Sequence, residues 1–315
     1  MNGFLDPRLQ ALVPLGQALR QRNYRFTTVT PATHARVNAR PENQRAADLP
    51  GVFGWSRTFV DGVLGERMLA LLEAGGLLRR HRNHWRSAVR WSSLDDLLFA
   101  HSAYPTLEPD AVFFGPDTYR FARALHQLLA TSDGPVRRAV DIGCGAGPGA
   151  ILLARACPRA EVSAVDINPR ALDFTRANAQ LAGVEQVQVR HSDLLANLDG
   201  EFDLILSNPP YLLDASERAY RHGGGELGCG LSLRIVEQAL QRLGPGGRLL
   251  LYSGAAVVNG ESVLRRRLEE MLDVPGWRWE LQEIDPDVFG EELETPAYRH
   301  VERIAAVTLV LQRRD

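Results

Sequence analysis

Residues 139–150 read Ala-Val-Asp-Ile-Gly-Cys-Gly-Ala-Gly-Pro-Gly-Ala, and few local structures accommodate them. An apolar run (Ala139, Val140, Ile142) breaks into glycines at Gly143, Gly145 and Gly147, and helical spacing (Ala150, Leu152, Leu153, Ala156) follows. Pro148 suits the first helical position, where the missing N–H costs nothing. The stretch is a buried strand, a tight turn and a helix start. Glycine is required in such a turn when a ligand touches the backbone, because a Cβ would block both the approach and a positive φ.

From Val136 onward the pattern alternates strand and helix over short links, the mark of a parallel sheet covered on both faces. Strands are expected at 139–142, 161–165, 187–190, 202–207 and 248–253, with helices at 149–157, 169–182 and 231–243. Two further strands, near 278–284 and 304–312, have no clear helix between them and imply an antiparallel edge. The expected architecture is an α/β doubly wound, seven-stranded, Rossmann-like sheet over residues 111–315. Residues 1–110 form a small N-terminal α+β domain. Its expected parts are a helix from Leu5 to Arg22, irregular chain over 23–57 with His34 at the surface, and a helix from Asp61 to Leu78 ended by Gly75-Gly76. One two-stranded ribbon follows around Trp85, Val89 and Trp91. Helix then ribbon, with Arg79, Arg80, Arg82, Arg86 and Arg90, looks winged-helix-like and would position a substrate or pack on the next domain.

Charge is unevenly spread along the 315 residues. Residues 1–110 carry 14 Arg against 10 acids and the rest 22 against 28, for a net charge of −2, and there is no lysine. That balance excludes a uniformly basic polyanion binder but not a basic appendage. Cys144, Cys157 and Cys229 are too few and too scattered for a disulfide framework or a zinc knuckle, so no metal is expected. No run of about 18 apolar residues exists to span a membrane, and Met1–Asp6 lacks a basic, apolar leader. The expected location is cytoplasmic.

Ligands of such sheets bind at the carboxyl ends of the strands, where strand order reverses. The Gly143–Gly147 loop would give backbone contact to a polar chain. Asp141, just inside the first strand, is a buried acid whose place there an ammonium would explain. Asp166, followed by Ile167, tips the second strand about twenty residues past the loop, where a carboxylate can accept both hydroxyls of a ribose. Asp193, backed by Leu194, ends the third strand and can accept from an exocyclic amine such as adenine's, or simply cap a helix. The glycine pattern G-x-G-x-G differs from the G-x-G-x-x-G used against a pyrophosphate and so favours adenosylmethionine over a dinucleotide.

Asn208-Pro209-Pro210-Tyr211 closes the fourth strand. The Asn208 side-chain carbonyl and the Pro209 backbone carbonyl are two acceptors for the two N–H bonds of a planar –NH₂ group. The prolines stiffen the turn, and Tyr211 presents an aromatic face for stacking or packing. A delocalised nitrogen is a poor nucleophile, so holding its hydrogens while its lone pair faces a sulfonium methyl would gain rate through orientation. Arg221 and His222, beside three glycines, belong either to a lid over the acceptor or to a solvated loop. Phe289 and Tyr298, in the long link before the last strand, either wall the site or pack as core, with core packing the expected role.

Val140–Gly145, Asp166 and Ser207–Tyr211 together resemble class I S-adenosylmethionine-dependent methyltransferases. Within them they are similar to the HemK/PrmC-like group, which methylates the glutamine of the Gly-Gly-Gln loop of peptide release factors. The resemblance implies methionine binding at Gly143 and Gly145, ribose at Asp166, adenine at Asp193, and an acceptor nitrogen at Asn208, Pro209 and Tyr211. It covers residues 110–312. The chain departs from the group on the substrate side: Gly115-Pro116-Asp117-Thr118-Tyr119 replaces an Arg-Pro-Glu-Thr-Glu-like string, and Ala219–Glu226 lacks the usual Glu-Pro. The expected activity is N-methylation of a protein glutamine amide. A base amine of rRNA, tRNA or DNA, a small-molecule acceptor, another adenosylmethionine-using reaction, and an adenosylmethionine-binding sensor are the alternatives.

Overall fold

The structure is a computed structural model and describes residues 10–131, 134–214, 218 and 220–314. Residues 5–9 of the expected Leu5–Arg22 helix, and Ala219 of the acceptor-side stretch, lie outside them.

The central sheet takes its order from strands that are apolar on both sides. β5 (Arg138–Ile142), β6 (Glu161–Asp166), β7 (Gln188–His191) and β8 (Phe202–Ser207) pair in parallel with one another, and β8 pairs in parallel with β9 (Leu243–Val258). The spatial order is β11-β12-β9-β8-β5-β6-β7. β11 (Trp277–Asp285) and β12 (Arg303–Arg313) form the expected antiparallel edge, and a two-residue strand, β10 (Glu261–Ser262), folds back on β9. Along β5 and β8 successive residues enter opposite layers. Ala139, Leu204 and Leu206 pack on one side, and Val140, Ile142 and Ile205 on the other. Helices α4 (Pro116–Ala130), α5 (Pro148–Ala156) and α6 (Pro169–Ala182) cover the first face. α7 (Gly230–Arg242) and α8 (Val263–Leu272) cover the second. Sequence reasoning missed α8, although Val263, Leu264, Leu268 and Leu272 have helical spacing and the Ser262 side chain caps Arg265 N–H at 3.2 Å.

Before the sheet come α1 (Leu12–Gln21), α2 (Pro31–Asn38) and α3 (Glu66–Ala74), then two hairpins instead of the single expected ribbon. These are β1 (Leu78–His81) with β2 (His84–Ser87), and β3 (Val89–Leu94) with β4 (Leu97–Ser102). The supposedly irregular 23–57 stretch holds α2, whose start is capped by Thr30 Oγ1 and by Pro31 in the first turn. His34 is buried, 4.1 Å from the Tyr104 ring and 5.6 Å from Trp55, rather than at the surface. Burial, with Arg90 nearby, holds its imidazole down at about 4 and therefore neutral.

Leu12, Leu15 and Leu19 of α1 share one apolar cluster with Leu153, Phe174 and Leu181 of the catalytic layer. A Cβ on Gly16 would come within 2.5 Å of Leu181 and 2.7 Å of Trp91, so only glycine lets α1 lie this close. Buried Asn178 on α6 forms the polar joint. Its Oδ1 accepts Ala100 N–H at 2.8 Å, and its Nδ2 donates to Ala100 O and to Ala146 O. The N-terminal elements thereby brace the loop that follows β5.

Candidate functional site

Parallel pairing of Ile142 with Ser207 places the ends of β5 and β8 side by side, and Ser207 Oγ donates to Ile142 O at 2.8 Å. The Gly143–Gly147 loop and the Asn208–Tyr211 corner therefore open into the same cavity, together with Asp166, Ile167, Asp193 and Leu194. The loop doubles back on β6 through Gly143 N–H and Cys144 N–H, both donating to Val165 O. Gly143 (φ +67°) and Gly145 (φ +56°) are left-handed, and a Cβ on either would meet no protein atom within 4 Å. Both therefore present bare backbone to the cavity. Gly147 differs: it is buried, does not line the cavity, and starts α5 at φ +84° with Thr175 2.8 Å from where a Cβ would stand. Its left-handed φ and its closeness to Thr175 account for the glycine at this position.

Asp166 sits at the rim with both oxygens engaged once. Oδ2 accepts Gly145 N–H at 3.0 Å and Oδ1 accepts Asn168 N–H at 2.9 Å, leaving a lone pair on each for a diol. Burial raises its carboxyl above the usual range. Ile167 is 53 % exposed beside it, an apolar face available to a flat ring. Asp193 is exposed at the third strand's end, 3.5 Å from Arg234, and Leu194 follows at φ +49°. Asp141 is nearly sealed. Its Oδ2 accepts Ala150 N–H at 2.9 Å at the start of α5, so a helix N-terminus already stabilises the acid that an ammonium was expected to explain. Burial pushes its carboxyl up to about 7.

The acceptor side is built around a carboxylate, Asp117, to which sequence reasoning gave no role beyond its place in the Gly115–Tyr119 stretch. Thr118 does the capping, accepting Gly115 N–H at 3.2 Å. Asp117 is buried, and its carboxylate accepts from three donors: Tyr211 Oη at 2.8 Å, Tyr252 Oη at 2.7 Å and Arg120 Nη1 at 3.1 Å. Burial raises the Asp117 carboxyl, and these donors oppose that shift. Tyr211 is thus a fixed wall, with Phe289 edge-on at 5.9 Å; Phe289 both lines the cavity and packs against the core, so the two expected roles coincide in it. Gly254 makes room for the wall, because a Cβ there would fall 2.3 Å from the Tyr211 ring. Among the described residues, the Asn208 side chain has no hydrogen-bond partner. Over the mouth, Tyr220 stacks on Phe113 (6.2 Å, 7° between planes) and donates to Thr106 O at 2.8 Å. Arg221 is tied to Glu292 and lies 3.6 Å from Asp214. The cavity is lined by four carboxylates (Asp117, Asp141, Asp166, Asp193) against one guanidinium (Arg221), a balance that suits a cation.

A family model, the Methyltransferase small domain, matches residues 111–274. The chain belongs to that family. A release factor glutamine methyltransferase of Deinococcus radiodurans is 38% identical over 165 residues, 49% of this chain and 55% of that protein. One of Koribacter versatilis is 36% identical over 187 residues, 55% and 65% respectively. A ribosomal RNA small subunit methyltransferase C of Serratia proteamaculans is 32% identical over 129 residues, 41% and 34%. The chain spans about a third to two thirds of the length of these curated relatives. Its methyltransferase domain is of the class I, HemK-like type, and its cofactor is S-adenosylmethionine. The cavity fits that cofactor: open glycine backbone, a rim carboxylate with free lone pairs, an exposed apolar side chain and an excess of negative charge. No cluster of metal-ligating residues is found among the described residues, and no helix there is long and apolar enough to cross a membrane.

Proposed function

We propose that the protein transfers a methyl group from S-adenosylmethionine to a planar nitrogen, and that the acceptor is a glutamine side-chain amide of a protein. One observation carries this reading. Asn208 opens into the same cavity as Gly143, Gly145 and Asp166 and has no protein partner among the described residues, as a clamp awaiting an –NH₂ group would. The cofactor supplies an electrophilic sulfonium methyl. Gly143 and Gly145 receive its amino-acid chain, Asp166 its ribose hydroxyls, and Ile167, Asp193 and Leu194 its adenine; Asp141 contributes negative charge near the amino end. Asn208 Oδ1 and Pro209 O hold the two acceptor hydrogens while Tyr211, anchored by Asp117, walls the slot.

The relatives named for glutamine methylation support the amide as acceptor, and the relative named for ribosomal RNA supports a base amine as the second reading. Residues 1–110 would act as the substrate-positioning part and 111–315 as the catalytic domain. Incubation of cell lysate with tritiated S-adenosylmethionine and the protein, followed by protease or nuclease digestion, separates the two. Label released only by protease supports the amide. Label released only by nuclease replaces it with the base amine, and no label with intact cofactor binding removes the transferase reading. Asn208→Ala should bind cofactor normally and lose transfer; normal transfer by that variant contradicts the clamp.

A further inference from the structure

The charge of this chain is not merely uneven; it is separated. Residues 10–94 contain 13 Arg against 5 acids. None of those arginines is in an ion pair among the described residues, whereas ion pairs abound from residue 95 onward. The four acids that dilute the front in the sequence count, Asp95, Asp96, Glu108 and Asp110, are turned toward His126, Arg155 and Arg170 of the catalytic layer. What is left is a front rich in arginine outside any ion pair, on which Asp61 accepts Trp85 Nε1–H at 2.8 Å and Asp48 and Glu42 stand near Arg57. Arg79, Arg80 and Arg82 are exposed on the β1–β2 hairpin. Aromatic rings are set among the charges: Arg80 lies over Trp85 (5.7 Å) and Arg57 over half-buried Trp55 (5.5 Å). The same face runs to the acceptor mouth. Arg86 donates to Ser56 O and to Tyr104 O, and two residues later Thr106 holds Tyr220, which lines the cavity with Phe113.

We propose that this face binds RNA, its arginines on phosphates and its half-buried rings beside unstacked bases, and so delivers the acceptor to the cavity from an RNA-bound position. Arginines outside ion pairs release counterions from a phosphate backbone. Guanidinium planes next to half-buried rings suit the unpaired bases that RNA loops present and duplex DNA does not. The inference holds whether the methylated nitrogen belongs to a protein seated on RNA or to the RNA itself, and its test needs no methyl transfer.

Fluorescence anisotropy of the full chain with a labelled single-stranded RNA, titrated over about 50 to 200 mM salt, reads the surface. Arg79→Glu/Arg80→Glu/Arg82→Glu should weaken binding at least about tenfold and flatten the log–log salt slope by about 2, three phosphate contacts at roughly 0.7 each. Arg265→Glu/Arg266→Glu/Arg267→Glu on α8, where the arginines already face Glu269, Glu226 and Glu270, makes the same net-charge change and should leave binding within about twofold of wild type. Circular dichroism and cofactor titration confirm that each variant is folded. Equal losses in both triple variants, an unaffected hairpin variant, or no RNA binding overturn the proposal. Equal binding of duplex DNA or of polyglutamate assigns the face to another polyanion and overturns it too.

Discussion

Asp117→Asn is the most informative single change, because it alters one atom at a junction of three donors. The native carboxylate accepts from Tyr211, Tyr252 and Arg120, and the Arg120 guanidinium continues to Asp285 at 2.7 Å. Hydrogen bonds to a buried ionised group contribute about 1.5–3 kcal/mol each. Asparagine keeps one acceptor oxygen but faces a donor with its –NH₂, so one phenol must turn to accept and the attraction for Arg120 is lost. Relief of the carboxylate's desolvation offsets part of this. A net loss of about 1–3 kcal/mol is expected, on the order of 2–5 °C in the unfolding midpoint of a chain this size. Displacing Tyr211 from its wall position should cost more in rate than in stability, since a shift of about 1 Å can lower turnover a hundredfold. The assay pairs calorimetric unfolding with single-turnover transfer and cofactor titration. Transfer should fall at least about tenfold while cofactor affinity stays within about threefold. Tyr252→Phe, which leaves the Tyr211–Asp117 bond in place, should lower the midpoint by a similar amount with far less effect on transfer. Asp117→Asn with wild-type midpoint and wild-type transfer would refute the idea that this carboxylate sets the wall.

Three further outcomes follow from the cavity. Gly145→Ala should cost about 1 kcal/mol of stability for its left-handed φ yet abolish most cofactor binding, because the added methyl enters only ligand space; Gly147→Ala should do the reverse, unfolding earlier while the bound fraction at saturating cofactor stays near wild type. Asp166→Ala should weaken cofactor binding about tenfold to a hundredfold by calorimetry, the value of charge-assisted bonds to a diol. Asp141 supplies a pH signature. Its folded carboxyl is at about 7 against an ordinary 3.8, so the folded state holds the proton more tightly. Its contribution to stability is full below about 4 and is lost as pH rises through 7. A cationic cofactor favours the ionised form, so affinity should rise across that window, and Asp141→Asn should flatten both trends.

The cofactor half was legible in the sequence because its constraints are local. A strand ending in glycines before a proline reads as a tight turn into a helix, weak evidence alone, and it is the Asn-Pro-Pro-Tyr at the end of a neighbouring strand that gives it weight. Even there, local reasoning stops short at Gly147, where nothing in the string reveals that Thr175, twenty-eight residues on, is what occupies the Cβ position. The acceptor half was opaque for the same reason at larger scale. Asp117, Tyr211, Tyr252 and Gly254 come from three separate segments, and a carboxylate three residues after a phenylalanine pair gives no sign of its role until the fold brings two phenols to it. The front was misjudged differently. Counting charge over residues 1–110 averaged a basic face with acids that turn the other way, and only ion-pair geometry separates Asp96, bound to Arg155 at 2.6 Å, from the unpaired arginines of the β1–β2 hairpin. Net charge by segment measures composition, whereas a partner meets only the charge that internal pairing leaves behind, and that remainder must be read in three dimensions.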